Sequence, residues 1–344
     1  MADDLMPLTI IDLADHLKLD KSTVSRALNN KHGVSSSTRQ RVLQAARELG
    51  YTPNIHGQQL RGWTAKNLGI ILPTNPSDPA TGSIAISHRF YGPLVLLTFS
   101  TATRQGYDVL VVATDQHQDA NLYDVLVRKG VSCVLLLGPQ SERALDDLRD
   151  ASIPVLQLDS YSANHPELGF VTSENHQATY QATQHLIELG HQRLALVGDP
   201  QGISPFRERF EGFKAALDEA GLEEVITDAP RHLPPSEYSR ALLTCPIPPT
   251  AIVATSDAKA IRILDMAQQL GIKVPSELSV IGFDDVDRSL AENLSLATIR
   301  IDQDTMADTA VNTLINDTPN GEPTQIRIPT QLILRDSIAA PETA

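Results

Sequence analysis

The sequence predicts an α/β protein: a small three-helix head followed by a large body of doubly wound parallel sheets. Three observations lead there. At 344 residues the chain exceeds the usual single-domain size. Its first fifty residues repeat apolar positions at helical spacing, broken by short polar turns. From Asn67 onward, short apolar runs alternate with amphipathic stretches, the signature of strand–helix units.

The head reads as three helices. Ile10, Ile11, Ala14 and Leu17 lie at helical spacing after Thr9, with Asp12 and Asp15 in the first turns. The stretch His16 to Asp20 breaks the pattern, and Asp20 is placed to cap KSTVSRALNN, whose inward positions are Val24, Ala27 and Leu28. A third helix begins near Ser35, carries Val42, Leu43, Ala46 and Leu49 on one face, and stops at Gly50. Three short helices joined in this way form a helix-turn-helix head. In such a unit the second helix enters the major groove. Lys21, Ser22 and Arg26 are then placed to read base edges, and Thr23 and Ser25 to fix orientation on phosphates.

Charge supports this division. The chain carries a formal net charge of −14. Residues 1–62 nevertheless hold eight Lys/Arg against six Asp/Glu, whereas the remainder holds 20 against 36. Screening confines attraction to about 10 Å at ordinary salt, so a basic head on an acidic body keeps phosphate binding local to the head.

The segment from Leu8 to Asn54, with its TVSRALN core, the Val-Ser before the third helix and the closing LGYTPN, resembles the DNA-binding head of the lactose-repressor (LacI/GalR) family. IHGQQLRG resembles that family's hinge helix, and the resemblance places the minor-groove wedge on Leu60. The expected organisation is a helix-turn-helix domain at 1–53, a hinge helix at 54–64 and a ligand-binding, dimerising core at 65–344. About eight residues is short for an isolated helix, so the hinge is expected to fold only where two copies meet on DNA.

In the body NLGIILP, YDVLVVATD, VSCVLLLG, IPVLQLD, RLALVGD, TAIVATSD and LSVIGFDD read as buried parallel strands. Helical stretches such as ATYQATQHLIELG, RERFEGFKAALDEAG and AKAIRILDMAQQLG separate them, and ligands are expected at the carboxyl ends of the strands. Dinucleotide-binding, P-loop, nucleophile-elbow and zinc-protease motifs are missing, so the reading is not an enzyme, with no cofactor and no metal. His185 and His191 bracket a helix end and read as packing residues; Cys133 and Cys245 read as reduced core or near-core residues. No apolar run reaches the roughly 18–20 residues of a membrane span, and MADDLMP is not a signal pattern, so a cytoplasmic protein without membrane contact is expected.

QATQHLIELGHQRLALVGDP, RERFEGFKAALDEAGL, VPSELSVIGFDDVD and LATIRIDQDTMADTAV resemble the periplasmic-binding-protein-like core of the same family. The resemblance implies two subdomains clamping a small effector, and places the chain crossings near Ala163–Gly169, Ser295–Ile299 and Pro329–Leu332. The N-subdomain is then about 65–165 plus 299–329, and the C-subdomain about 166–298 plus 330–344. Carried over residue by residue, Arg209 before Gly212-Phe213 matches the ligand-gripping arginine and Asp284 the carboxylate that accepts ligand hydroxyls. Phe90 and Tyr91 match an aromatic pair opening the first core helix, Arg207 is a further candidate, and Ser256 stands where many relatives carry Asn. Leu233 stands near a usual stacking aromatic, and the stretch at 74–87 is longer than the family loop.

The expected function is a ligand-responsive repressor of carbohydrate or related catabolic genes. It would bind a pseudo-palindromic operator in double-stranded DNA as a homodimer, with a tetramer as the alternative assembly. The effector class is a sugar, polyol or nucleoside. A sugar-modifying enzyme with a fused DNA-binding head is the alternative function, and a solute-capture protein has no use for TVSRALN.

Overall fold

The computed structural model describes residues 10–28, 33–49, 66–73, 89–114, 122–149, 151, 153–199, 203–227, 229, 233–286, 295–316 and 323–342. The chain divides into two compact units, Met1–Ala65 and Lys66–Ala344. Leu60, the hinge at 54–64 and the long stretch at 74–87 lie outside the described residues.

The head contains α1 (Ile10–Leu17), α2 (Lys21–Leu28) and α3 (Ser36–Glu48). Leu13, Ala14, Leu17, Val24, Ala27, Val42, Ala45 and Ala46 form its core. Two expected core positions fail. Ile11 is 52% exposed and Leu49 37% exposed, while Leu13 and Ala45 are buried in their place. The three helices meet around Leu13, Ala14 and Leu17, one step along the helix surface from the face that Ile11 occupies. The turn between α1 and α2 is tight: Lys18 has φ +52°, and Leu19 N donates to Ala14 O. Arg41 of α3 donates to the Leu17 carbonyl at 2.7 Å, satisfying a backbone oxygen that the end of α1 leaves without a helical partner. Ser35 accepts from Thr38 N at 3.2 Å and so caps α3.

The body has two lobes. The first sheet contains β1 (Asn67–Pro73), β2 (Asp108–Thr114), β3 (Cys133–Leu137), β4 (Val155–Leu158), β5 (Gly169–Ser173) and β10 (Gln325–Ile328), in the order β10-β5-β4-β3-β1-β2. All its pairings are parallel. The second contains β6 (Leu194–Val197), β7 (Ala251–Ala254), β8 (Ser279–Asp284), β9 (Ala297–Ile301) and β11 (Thr330–Ile333), in the order β11-β9-β8-β7-β6. Only β11 is antiparallel, at the edge beside β9. The central strands are buried along their whole length, which is why their sequences are nearly continuous apolar runs.

Between these strands lie α4 (Tyr91–Arg104), α5 (Leu122–Arg128), α6 (Glu142–Arg149), α7 (Asn175–Glu188), α8 (Ser204–Ala220), α9 (Pro235–Leu243), α10 (Asp257–Leu270) and α11 (Gln303–Asn316). Helices α7 and α8 pack most closely, because Gly212 lies against the His176 carbonyl where any Cβ would collide. Helix α11 packs on α4 and on the first sheet.

Strand pairing corrects two of the expected crossings. β5 belongs to the first sheet through β4, with Leu156 opposite Gly169, so the first crossing is at Glu174 and not at 163–169. β9 belongs to the second sheet through β8, so the second crossing is at Asp302 and not at 295–299. The third falls at Pro329, as expected. The physical cause is the same in both corrections: a short strand follows the partner that satisfies its backbone. Residues 166–173 therefore join the first lobe, and 299–301 the second.

Candidate functional site: an effector cleft and a DNA-reading helix

On the head, Lys21, Ser22 and Arg26 are exposed, whereas Thr23 and Ser25 are half-buried. Val24 and Ala27 turn inward, so α2 presents one polar face from its first turn onward.

In the body, the cleft lies where the carboxyl ends of β4, β7 and β8 meet the starts of α4, α8 and α10. Arg209 of α8 is 3% exposed. Its Nε donates to Asn175 Oδ1 at 2.9 Å and its Nη1 to the Thr255 carbonyl at 2.6 Å. Nη1 also stands 3.5 Å from Asp284 Oδ1, and the guanidinium carbon lies 3.5 Å from the centre of the Phe283 ring. The arginine is thus pre-oriented by uncharged acceptors and an aromatic face, with part of its fork directed at Asp284.

Asp284 ends β8 with φ +115°. Burial pushes its carboxyl up to about 8, against the pull of Arg209. The next residue behaves in the opposite way. Asp285 accepts from Arg335 at 2.6 Å and Arg300 at 2.7 Å, and these two arginines outweigh burial and hold its carboxyl below the usual range. The first aspartate keeps a raised carboxyl beside Arg209, and the second is a structural tie.

Tyr91 is half-buried and donates to Asp159 Oδ2 at 2.8 Å. Burial and the Asp159 carboxylate push its hydroxyl well above the tyrosine range. Asp159 is 3% exposed, sits at φ +74° after β4, and burial raises its carboxyl too, with Arg209 opposing. Arg209 is therefore within electrostatic reach of one carboxyl group from each lobe. Lys259, in the first turn of α10, places its ammonium 3.9 Å over the Phe206 ring. Burial, then Arg209, push Lys259 down to about 8.

The structure brings Arg209, Asp284 and Tyr91 together and separates the other candidates. Phe90 is 5% exposed, lies edge-on to Tyr91 at 5.2 Å and belongs to the main apolar cluster, so it supports Tyr91 from behind. Ser256 caps α10, its hydroxyl accepting from Lys259 N at 3.4 Å. Arg207 lines a separate recess of about 260 Å³ with Ser160, Tyr161 and Ser204. Leu233 packs against the second lobe's core. Asp284 itself borders a groove of about 740 Å³, together with Pro93, Leu97, Gln303 and Gln331. His191 packs between Thr250 and Ser279, hydrogen-bonded to both. Cys133 is buried and its thiol is pushed up to about 11 by burial; Cys245 is half-buried, and both are free.

Sequence reasoning missed Asp159, Lys259 and the clasp that joins the lobes beside the cleft. In that clasp Glu208 of α8 accepts from Tyr161 Oη at 2.6 Å, from Asn175 Nδ2 at 3.2 Å and from Arg327 of β10 at 2.8 Å. Ser204 accepts from Tyr161 N at 2.8 Å. The one usable signal was positional: Asp159 closes a predicted strand, where ligand residues are expected.

Residues 9–54 match the family of bacterial regulatory proteins named for lacI, and residues 183–338 match a periplasmic binding protein-like domain. The HTH-type transcriptional repressor CytR of Escherichia coli K12 is 30% identical over 289 residues, covering 81% of this chain and 80% of that protein. The chain belongs to the LacI family. Its LacI-family relatives also include the ribose operon repressor of Halalkalibacterium halodurans, 28% identical over 341 residues and 98% of both chains. The lac repressor dimer bound to operator and the anti-inducer ONPF shares the fold, at TM-score 0.76 and 24% identity over 97% of this chain and 100% of that one. A LacI regulator from a Rhodococcus species is 27% identical over 80% of this chain and 98% of its own, at TM-score 0.67. The chain is a ligand-responsive DNA-binding transcriptional regulator of this family, and no described helix is long and apolar enough to cross a membrane.

Proposed function

We propose that the chain is a repressor of carbohydrate or related catabolic genes, without enzymatic activity, whose effector sits in the cleft between the two lobes. The observation that carries this reading is Arg209, buried in the second lobe 3.5 Å from Asp284 and within electrostatic reach of Asp159 of the other lobe. A ligand bound there touches both lobes, so its affinity differs between arrangements of the lobes, and that difference is the source of control. Arg209, Asp284 and Tyr91 grip the ligand, Phe90 backs Tyr91, Ser256 sets the start of α10, and Arg207 acts from the neighbouring recess.

On DNA, Lys21, Ser22 and Arg26 read bases, Thr23 and Ser25 contact phosphates, and Leu60 wedges into the minor groove. One head offers few base contacts, so a homodimer on a pseudo-palindromic site supplies the specificity. The lac repressor dimer on its operator, and the ribose-bound LacI regulator from Enterococcus faecium, support this reading by their shared fold. Footprinting across the chain's own promoter region tests it. Two symmetric half-sites are expected, released or tightened by a compound that also raises the melting temperature of the body. A single asymmetric half-site contradicts the dimer, and turnover of a candidate sugar contradicts the non-enzymatic reading.

A further inference from the structure

The cleft holds two groups that binding a neutral sugar at Arg209 and Asp284 leaves unexplained. The first is Lys259. Its ammonium lies against Phe206 and, among the described residues, forms no ion pair with a carboxylate. Its charge is opposed by burial and by the Arg209 cation, with Asp284 and Asp199 only partly compensating. A half-buried cation set beside another cation is costly to keep, and an apolar side chain would cover Phe206 as well. Phe206 and Lys259 also occupy the first turns of α8 and α10, so the positive ends of two helices add to the same corner.

The second group is Asp159. One of its carboxylate oxygens takes the Tyr91 hydroxyl, while the other, Oδ1, is buried without a hydrogen-bond partner. The residue is 3% exposed and held at φ +74°, a backbone region that aspartate tolerates but does not prefer. A buried acceptor left unsatisfied calls for a donor from outside the chain. Arg209 acts electrostatically on both groups, so one small molecule beside it meets both needs.

We infer that the effector is a hydroxylated anion, a sugar phosphate or a sugar acid, with its negative group on Lys259 beside Arg209 and a hydroxyl donating to Asp159 Oδ1. This rests on the proposed role of the cleft as the effector site. It narrows the class, because the closing of the lobes over a neutral ligand would desolvate the ammonium further with nothing in return.

The test is calorimetry on the full-length protein at constant ionic strength. Inorganic phosphate serves as the minimal probe, with chloride as control. Glucose, glucose 6-phosphate and gluconate form one matched set, and ribose, ribose 5-phosphate and ribonate another. Phosphate is expected to bind where chloride does not, and one charged form to bind about tenfold or more tighter than its neutral parent. Whether the ester or the acid gains identifies the source of the anion. Lys259→Met should abolish the preference for the charged form, Lys259→Arg should retain it, and Asp159→Asn should weaken the sugar compounds while sparing inorganic phosphate. If phosphate behaves as chloride does, or Lys259→Met leaves the charged preference intact, the anionic assignment is overturned. The cleft reading survives that result if a neutral sugar binds and Tyr91→Phe weakens it. It falls along with the assignment if no compound binds and Arg209→Lys leaves promoter response unchanged.

Discussion

The outer face of α2 and the cleft of the body both carry charged side chains, yet they hold them on opposite sides of the water boundary. Lys21, Ser22 and Arg26 stand exposed over a core built largely of alanine, valine and leucine. Each is exposed to water, with Val24 and Ala27 turned inward on the same helix. Arg209, Asp159 and Asp284 are almost entirely out of water, and their neighbours set their protonation. The contrast teaches that surface recognition follows from residue type and helix position, whereas buried recognition follows from partners. Asp284 and Asp285 show this within one dipeptide: one arginine at 3.5 Å leaves a carboxyl raised, and two at 2.6–2.7 Å pull its neighbour down.

The largest expected effect comes from breaking the cleft. Arg209→Ala leaves Asn175 Oδ1 and the Thr255 carbonyl without their donor, and each buried acceptor left unsatisfied costs about 1–3 kcal/mol. Urea unfolding of the body should show that loss, while the protein that remains folded binds operator yet ignores effector. A cost below about 1 kcal/mol, as expected for an exposed pair, would mean the cleft is as solvated as the head, and the contrast would fail.

Arg26→Ala probes the other side of the comparison. Stability should move by no more than about 0.5 kcal/mol, because the residue is exposed. Affinity for the specific operator should fall by about 1–3 kcal/mol, with relaxed preference at one position per half-site. An equal loss on random DNA in a binding competition would make Arg26 a phosphate contact.

A pH series sharpens the electrostatic half. Asp284 keeps its proton up to about 8 in the folded protein, while the unfolded carboxyl loses its own near the ordinary value of about 4. Its contribution to stability is therefore complete below the unfolded value and drains away as pH rises toward 8. Asp284→Asn should flatten the decline in body melting temperature between about pH 5 and 8. Some slope should persist at the lower end, since burial also raises Asp257, to about 6. An unchanged slope in Asp284→Asn would place the carboxyl in water.

By itself the sequence determined the helix-turn-helix head, the alternation of strand and helix, and seven of the strands, because each rests on local periodicity and turn residues. It also marked Arg209 and Asp284, through motifs that resemblance could carry over. It misassigned Ile11 and Leu49, since a helical repeat leaves neighbouring faces nearly equivalent until another helix covers one of them. It missed β5, since GFVTS is short and joins the first sheet only through its backbone pairing with β4. Asp159, Lys259 and Glu208 were equally hidden. Nothing beside them in the chain says that a strand end will leave one carboxylate oxygen dry, or that a lysine in a first helical turn will face an arginine fifty residues earlier. Those are consequences of distance and burial, and only the tertiary structure sets either one.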